Sequence, residues 1–413
     1  KMDDCDKVVL NSKAQSLLNS LITNLGIENY TLNITRGNAK GDNYLGVIGK
    51  IHVKTEGATW NWIIKCAPEA SQFRTTVPVA KVYQREVYVY EKILAEYQKF
   101  QEEKGVTTPF RSYAKYYTSL LEEPFETIIL EDMKAVGYKL YNRQEPLDYH
   151  HALLAIREYG RFHAFSFAIR DQKPDLFHEF QQNVPEVFYD LLVNSESSRQ
   201  LIQYQCNQIR DSISQIDSKR AYDNFSKFQD HMLELVKKLV TVEAAGPYAV
   251  ISHGDCWINN FLFKYSKLQK SPTDMCLIDW QMARVGSPVL DLSCFLFTST
   301  DKQLRDQHYD SLIKEYYDSL SSFLIELGSD PEVLFPFNIL QEHLKIFSVY
   351  GLFMAIQSLY FMVSGEDEIP DVHNFTSEEE GMVQMKYVPK NIDRYTSRIR
   401  DVVVDFEKFG YNF

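Results

Sequence analysis

The sequence predicts an α+β protein in two lobes, a small N-terminal lobe built on an antiparallel sheet and a larger, mainly helical C-terminal lobe. Three observations lead there. The chain has 413 residues, too many for one simple core. Short alternating apolar runs, the mark of half-buried strands, gather in its first third. Beyond residue 132 apolar residues recur mostly at helical spacing, so the lobes are drawn as 1–132 and 133–413. Hydrophobic residues make up 45% and charged residues 24%, the balance of a chain folded throughout.

In residues 12–25, Ala14, Leu17, Leu18, Leu21 and Ile22 share one helical face, and Gly26 ends the helix. Tyr30, Leu32 and Ile34 then alternate as a strand. Gly37 to Tyr44 is rich in Gly, Asn and Asp and precedes two further apolar runs, Leu45–Ile48 and Ile51–Val53. It reads either as an ordinary hairpin turn or as a loop whose backbone N–H groups cover phosphates. It is not a Walker loop, since no Gly-Lys-Ser/Thr follows. Trp60–Lys65 is a strand that ends in a lysine. Tyr83–Tyr97 is a helix with Val87, Tyr90, Leu94 and Tyr97 on one face and Glu86 in its first turns. Phe125–Leu130 is an apolar strand ending at Glu131-Asp132-Met133. Gly137 and the polar run 141–145 mark the crossing between lobes.

The helical half opens with His150–Ala168, where His151 and His163 are expected to pack or face solvent rather than bind metal. Residues 175–243 alternate as several helices, broken at Pro185 and near 194–198. Gly286-Ser287-Pro288 makes a turn before a helix that begins at Val289. The remainder is helical, and Phe347–Val363 is short for a membrane span and reads as a buried helix.

The chemistry lies between these helices. In Ser252-His253-Gly254-Asp255-Cys256-Trp257-Ile258-Asn259-Asn260-Phe261, a carboxylate follows a histidine by two residues and precedes a carboxamide by five. In Cys276-Leu277-Ile278-Asp279-Trp280-Gln281, an aspartate ends a short apolar run. Phe261–Phe263 and Met275–Ile278 are expected to pair as a hairpin that presents Asn260 and Asp279 together. Alone, His-x-Asp is common in loops, and an Asp at a strand end can simply cap a turn. Together and in this order they supply what phosphoryl transfer to an alcohol needs: a proton acceptor, Asp255, and oxygen ligands for Mg²⁺, Asn260 and Asp279.

These residues resemble the ecdysteroid kinase-like family, within the larger group of choline kinases and aminoglycoside phosphotransferases. His253 to Asn260 looks like its catalytic loop and Leu277 to Gln281 like its metal-binding strand end. The resemblance implies a bilobal protein-kinase-like fold. It implies that Asp42, Asn43 and Tyr44 belong to a phosphate lid, and that Lys65 contacts ATP phosphates while pairing with Glu86, for which Glu91 is the alternative. It places the adenine hinge at Glu131 and Met133. It has Asp291 brace the catalytic loop, although that residue also suits a helix N-terminus. An ecdysteroid or another apolar alcohol becomes the expected acceptor. The alternatives are a choline or ethanolamine kinase, which would need aromatic rings such as Trp257 and Trp280 around a cation, or a silent nucleotide- or steroid-binding module. Phe347, Tyr350, Phe353, Met354, Tyr360 and Phe361 either line an apolar pocket or pack the core.

The net charge of −12 argues against a nucleic-acid partner. Six cysteines without paired spacing read as reduced thiols, and Cys256 as a small buried filler. With no apolar leader at the start, the expectation is a cytoplasmic enzyme, free of membrane, working as a monomer or weak dimer.

Overall fold

The computed structural model describes residues 9–37, 46–70, 74–75, 77–216, 218–267, 270–370 and 384–413. Helix α1 (Ser12–Asn24) is capped by the Asn11 side chain, which accepts from the Ala14 N–H at 2.8 Å. It precedes strands β1 (Thr31–Arg36), β2 (Val47–Lys54) and β3 (Thr59–Cys66). With β4 (Tyr116–Leu120) and β5 (Thr127–Glu131) these form one sheet in the order β1-β2-β3-β5-β4, every neighbouring pair antiparallel.

Alternation along the strands decides what each face does. Trp62, Ile64 and Ile129 point to the α1 side and close a small core with Ala14, Leu18 and Ile22. Lys65 and Ile63 stand opposite Ile128 and Leu130 in the register, so this set faces the other way. Ile128 and Leu130 belong to a second, much larger core that continues into the helical half.

The helix expected at Tyr83–Tyr97 is part of a longer run. Helix α2 (Val79–Tyr88) passes through a wide turn, Val89–Leu94, into α3 (Ala95–Glu103). After β6 (Tyr138–Leu140), α4 (Tyr149–Gln172) lies along the later α10 (Lys302–Glu326). Gly160 permits their close approach, since a Cβ there would sit 2.7 Å from the Tyr316 carbonyl oxygen. The next segment holds α5 (Pro174–Asn183), α6 (Tyr189–Asn194), α7 (Glu196–Ser214) and α8 (Lys219–Leu239), with breaks around Pro185 and within the 194–198 stretch as expected.

Strand β7 (Val250–Ser252) pairs antiparallel with β10 (Arg284–Gly286). Between them β8 (Phe261–Tyr265) and β9 (Pro272–Leu277) form the expected hairpin, extended by β6 into three strands. Helix α9 (Pro288–Ser299) follows. The apolar stretch 347–363 folds as the expected buried helix, α12 (Val349–Met362), and α11 (Phe337–Phe347) runs into it across a 51° bend at Ser348. Phe347, Tyr350, Phe353 and Tyr360 are buried in the large core, which settles them as packing residues. Helix α13 (Ile392–Phe409) closes the chain against α7 and α12. No single helix among the described residues is long and apolar enough to cross a membrane.

Candidate active site

A cleft opens between the inner face of the sheet and the β8–β9 hairpin, with about 920 Å³ of empty space counting its mouth. Lys65 enters it from β3 and Glu86 from α2. Glu131 and Met133 come from the end of β5, and Asn260 and Asp279 from the two ends of the hairpin. Asp42, Asn43 and Tyr44 lie outside the described residues.

Lys65 is the meeting point. Its Nζ donates to Glu86 Oε2 at 2.7 Å, to Asp279 Oδ1 at 2.7 Å and to Gln281 Oε1 at 3.2 Å. Burial alone would push the ammonium pKa down. The charges of Asp279 and Glu86 outweigh it and carry the net shift upward, so Lys65 stays charged. The choice between Glu86 and Glu91 is resolved: Glu91 instead accepts from the Tyr116 hydroxyl on β4. Glu86 lies on α2 and Glu91 in the wide turn after it, and the two carboxylates go to different partners.

The hairpin ends meet as the sequence predicted. Asn260 Nδ2 donates to the Asp255 carbonyl at 2.9 Å and to its Oδ2 at 2.8 Å, and the Ile278 N–H donates to the Asn260 carbonyl at 3.1 Å. Asp255 is half-buried, and its carboxyl is pushed up to about 7, first by burial and then by the nearby charge of Asp279. A carboxyl poised there can accept a proton near neutral pH. Asp279 adopts left-handed backbone geometry, φ 69°, which re-aims the chain from strand to turn and is tolerated by Asp better than by most residues.

The catalytic loop hangs from one carboxylate. Asp291, in the first turn of α9, accepts the His253 N–H at 2.7 Å and the Gly254 N–H at 3.0 Å. His163 supports it from α4 at 3.1 Å and bonds Tyr316 through its other ring nitrogen at 2.8 Å. Burial alone would raise the Asp291 pKa, but these donors hold it at about 2. His253 is fully buried. Its Nε2–H donates to the Ile278 carbonyl at 3.0 Å and its Nδ1 accepts the Asp255 N–H at 3.3 Å. Burial lowers its pKa, so the ring is a neutral strut between the two halves of the site. Gly254, φ 85°, has no room for a side chain: a Cβ would lie 2.0 Å from the Met282 carbonyl oxygen.

At the hinge, Met133 is buried and its carbonyl accepts the Tyr138 N–H at 3.0 Å, while the Glu131 N–H donates to the Lys115 carbonyl at 2.8 Å. Trp280 is fully buried, its ring centre 4.6 Å from that of His253, and offers no face to a dissolved cation. Cys256 is buried as a filler. Sequence reasoning gave Gln281 no role and missed Arg85, whose guanidinium donates to the Gln281 carbonyl at 3.1 Å and to the Pro185 carbonyl at 2.7 Å. Only the position of Arg85 beside Glu86 could have marked it.

The GDP complex of wild-type aminoglycoside 2'-phosphotransferase-IIIa is 12% identical, and the alignment covers 83% of this chain and 96% of that one at a TM-score of 0.36. A point mutant of the same protein, also with GDP, matches with the same identity and TM-score and is covered to 97%. No curated protein matches. The ecdysteroid kinase-like family model matches residues 40–329, well over half of the chain and including every site residue placed above. The protein is thus a phosphotransferase that acts on hydroxyl groups of small molecules, and the chain belongs to the ecdysteroid kinase-like family.

Proposed function

We propose that this enzyme transfers the γ-phosphate of ATP to a hydroxyl of an ecdysteroid or a comparably apolar alcohol. The supporting observation is the meeting of Lys65, Glu86 and Asp279 in the cleft that Asn260 also lines, with Asp255 bonded to Asn260. A charged lysine held between two carboxylates suits polyphosphate, because it arrives already oriented. The donor set also fits Mg²⁺. Asn260 has committed its side-chain nitrogen to Asp255, which leaves its side-chain oxygen Oδ1, and Asp279 has a second carboxylate oxygen beyond the one on Lys65. Mg²⁺ takes one or two protein oxygens and completes its shell with water and phosphate. No group of three or more His, Cys, Asp or Glu gathers among the described residues, in keeping with a cation brought in with the nucleotide. Bound there, the cation would neutralise charge spreading over the transferred phosphoryl group.

The protein's own part is positional. Asp255 takes the proton of the acceptor hydroxyl and aims its oxygen. Lys65 holds the donor phosphates, Glu131 and Met133 flank the base, and Trp257, half-buried two residues from Asp255, offers an apolar ring to the acceptor. The same reading has the enzyme work in the cytoplasm as a monomer or weak dimer. The family's name supports the ecdysteroid.

The test is Mg²⁺-dependent ATP consumption with a panel of steroid polyols, choline analogues and plant alcohols, with products identified by mass. A phosphorylated steroid is expected, and turnover of choline alone would refute the acceptor. Asp279→Ala is expected to abolish the Mg²⁺ dependence of nucleotide binding; an unchanged metal titration would remove Asp279 from the metal site.

A further inference from the structure

Asn259 is a polar cleft residue to which this account of phosphoryl transfer gives no part. It lines the cleft beside Asn260, Asp279 and Lys65. Its Nδ2 is buried and has no hydrogen-bond partner. A buried amide N–H without an acceptor is uncommon in folded proteins and calls for an explanation. The neighbouring donors are already engaged: Lys65 with Glu86 and Asp279, Asn260 with Asp255. Two adjacent carboxamides therefore present opposite atoms. Asn260 has an oxygen to offer, which suits a cation, and Asn259 has an N–H, which suits an oxygen of a ligand.

We infer that Asn259 is a binding residue for the phosphate donor, its Nδ2 donating to a nucleotide oxygen on the ribose or the phosphates. This rests on the cleft being the nucleotide site proposed above. The backbone of residues 258–260 is a single 3₁₀ turn held by the Asn260 N–H on the Trp257 carbonyl at 3.0 Å, so the Asn259 side chain is presented from a fixed base. Since its Nδ2 bonds to nothing in the protein, removing it costs the fold no hydrogen bond. A structural residue would behave otherwise.

Calorimetric titration of wild type, Asn259→Ala and Asn259→Asp with Mg·ADP and with adenosine tests this, alongside the melting temperature of each protein. Asn259→Ala is expected to weaken ADP about tenfold, the loss of one hydrogen bond to a polar or charged oxygen, with melting unchanged. Asn259→Asp keeps the shape but replaces the donor with a charged acceptor, and is expected to weaken ADP at least as much. If adenosine weakens in parallel, the ribose is the partner; if adenosine is unaffected, the phosphates are. ADP binding within about twofold of wild type in both variants would overturn the inference. A wild type that binds neither ADP nor adenosine would overturn the nucleotide reading of the cleft and this inference with it, whereas failure confined to the variants touches Asn259 alone.

Discussion

At Asp255 one group carries both a catalytic expectation and a stability cost. Its folded pKa of about 7 lies well above the ordinary carboxylate value, so the folded protein holds this proton more tightly than the unfolded chain does. The stability it contributes is present below about pH 4 and is lost as pH rises through about 7. Two outcomes follow. The kcat/KM of the free enzyme is expected to rise through pH 7 as the base ionises, and a profile flat from pH 5 to 9 would exclude Asp255 as that base. Asp255→Asn is expected to cut kcat by about 10²–10⁴-fold, while its melting temperature at pH 8 rises above that of wild type. A lower melting temperature at pH 8 would show that ionised Asp255 is not strained. Lys65 behaves in the opposite sense. Lys65→Met leaves Glu86 and Asp279 without their shared cation, and a loss of about 3–5 kcal/mol is expected in urea unfolding at pH 7. A loss below about 1 kcal/mol would mean the trio is as weak as a surface pair. Asp255, Asn260 and Asp279 were legible in the sequence because their spacing is local, a five-residue step and one hairpin, even though outside contacts hold the loop in shape. Glu86 was not separable from Glu91, since the answer depends on a wide turn and on where Tyr116 arrives from β4. Nothing local encodes either.

Among the elements, the catalytic loop shows how little of its own structure it carries. Residues 253–257 form no helix or strand. Their shape comes from outside: Asp291 of α9 takes two of their N–H groups, His253 reaches to Ile278, and Met282 passes so close that only glycine fits at 254. Gly254→Ala must therefore accept both a left-handed backbone and a clash with a carbonyl. A cost of about 2–3 kcal/mol is expected, together with a fall in kcat. Normal stability with normal turnover would show that the Met282 turn yields easily. Asp291→Ala is expected to cost more, about 3–5 kcal/mol, because two loop N–H groups and His163 lose their acceptor together. Full activity in that variant would show that the loop keeps its shape unaided. A bracing Asp291 was foreseen through the resemblance to a family. Its support by His163 was not, because 128 residues separate the two and only the packing of α4 beside α9 joins them.

For the whole molecule the question is whether the two lobes are two folding units. The sequence suggested a division after residue 132; the five-stranded sheet ends at Glu131, and α4 begins at Tyr149. Packing gives a different emphasis. Tyr97, on α3, stacks on Phe165 of α4 with ring centres 4.2 Å apart, and Phe110 packs against Phe162 at 6.0 Å. Ile128 and Leu130 of the sheet share one continuous core with the helices of residues 149–406. Polar contacts cross the same boundary. The Leu277 N–H of β9 bonds the Ser112 carbonyl at 2.8 Å, and Arg85 ties α2 to the turn after Asp279. The sheet's private core, under α1, is small by comparison. Periodicity reveals which residues seek a core but not which core, so this continuity was invisible in the sequence. An N-terminal fragment cut at 132 would expose the face of α2 and α3 that α4 now covers. We therefore expect a single calorimetric unfolding transition, with the van't Hoff enthalpy equal to the measured one, and an isolated 1–132 fragment that does not fold. Two resolved transitions, or a folded fragment with dispersed NMR signals, would establish the lobes as independent domains. In that case the Lys65–Asp279 contact, which spans them, would be a docking contact that opens and closes rather than part of one preformed site.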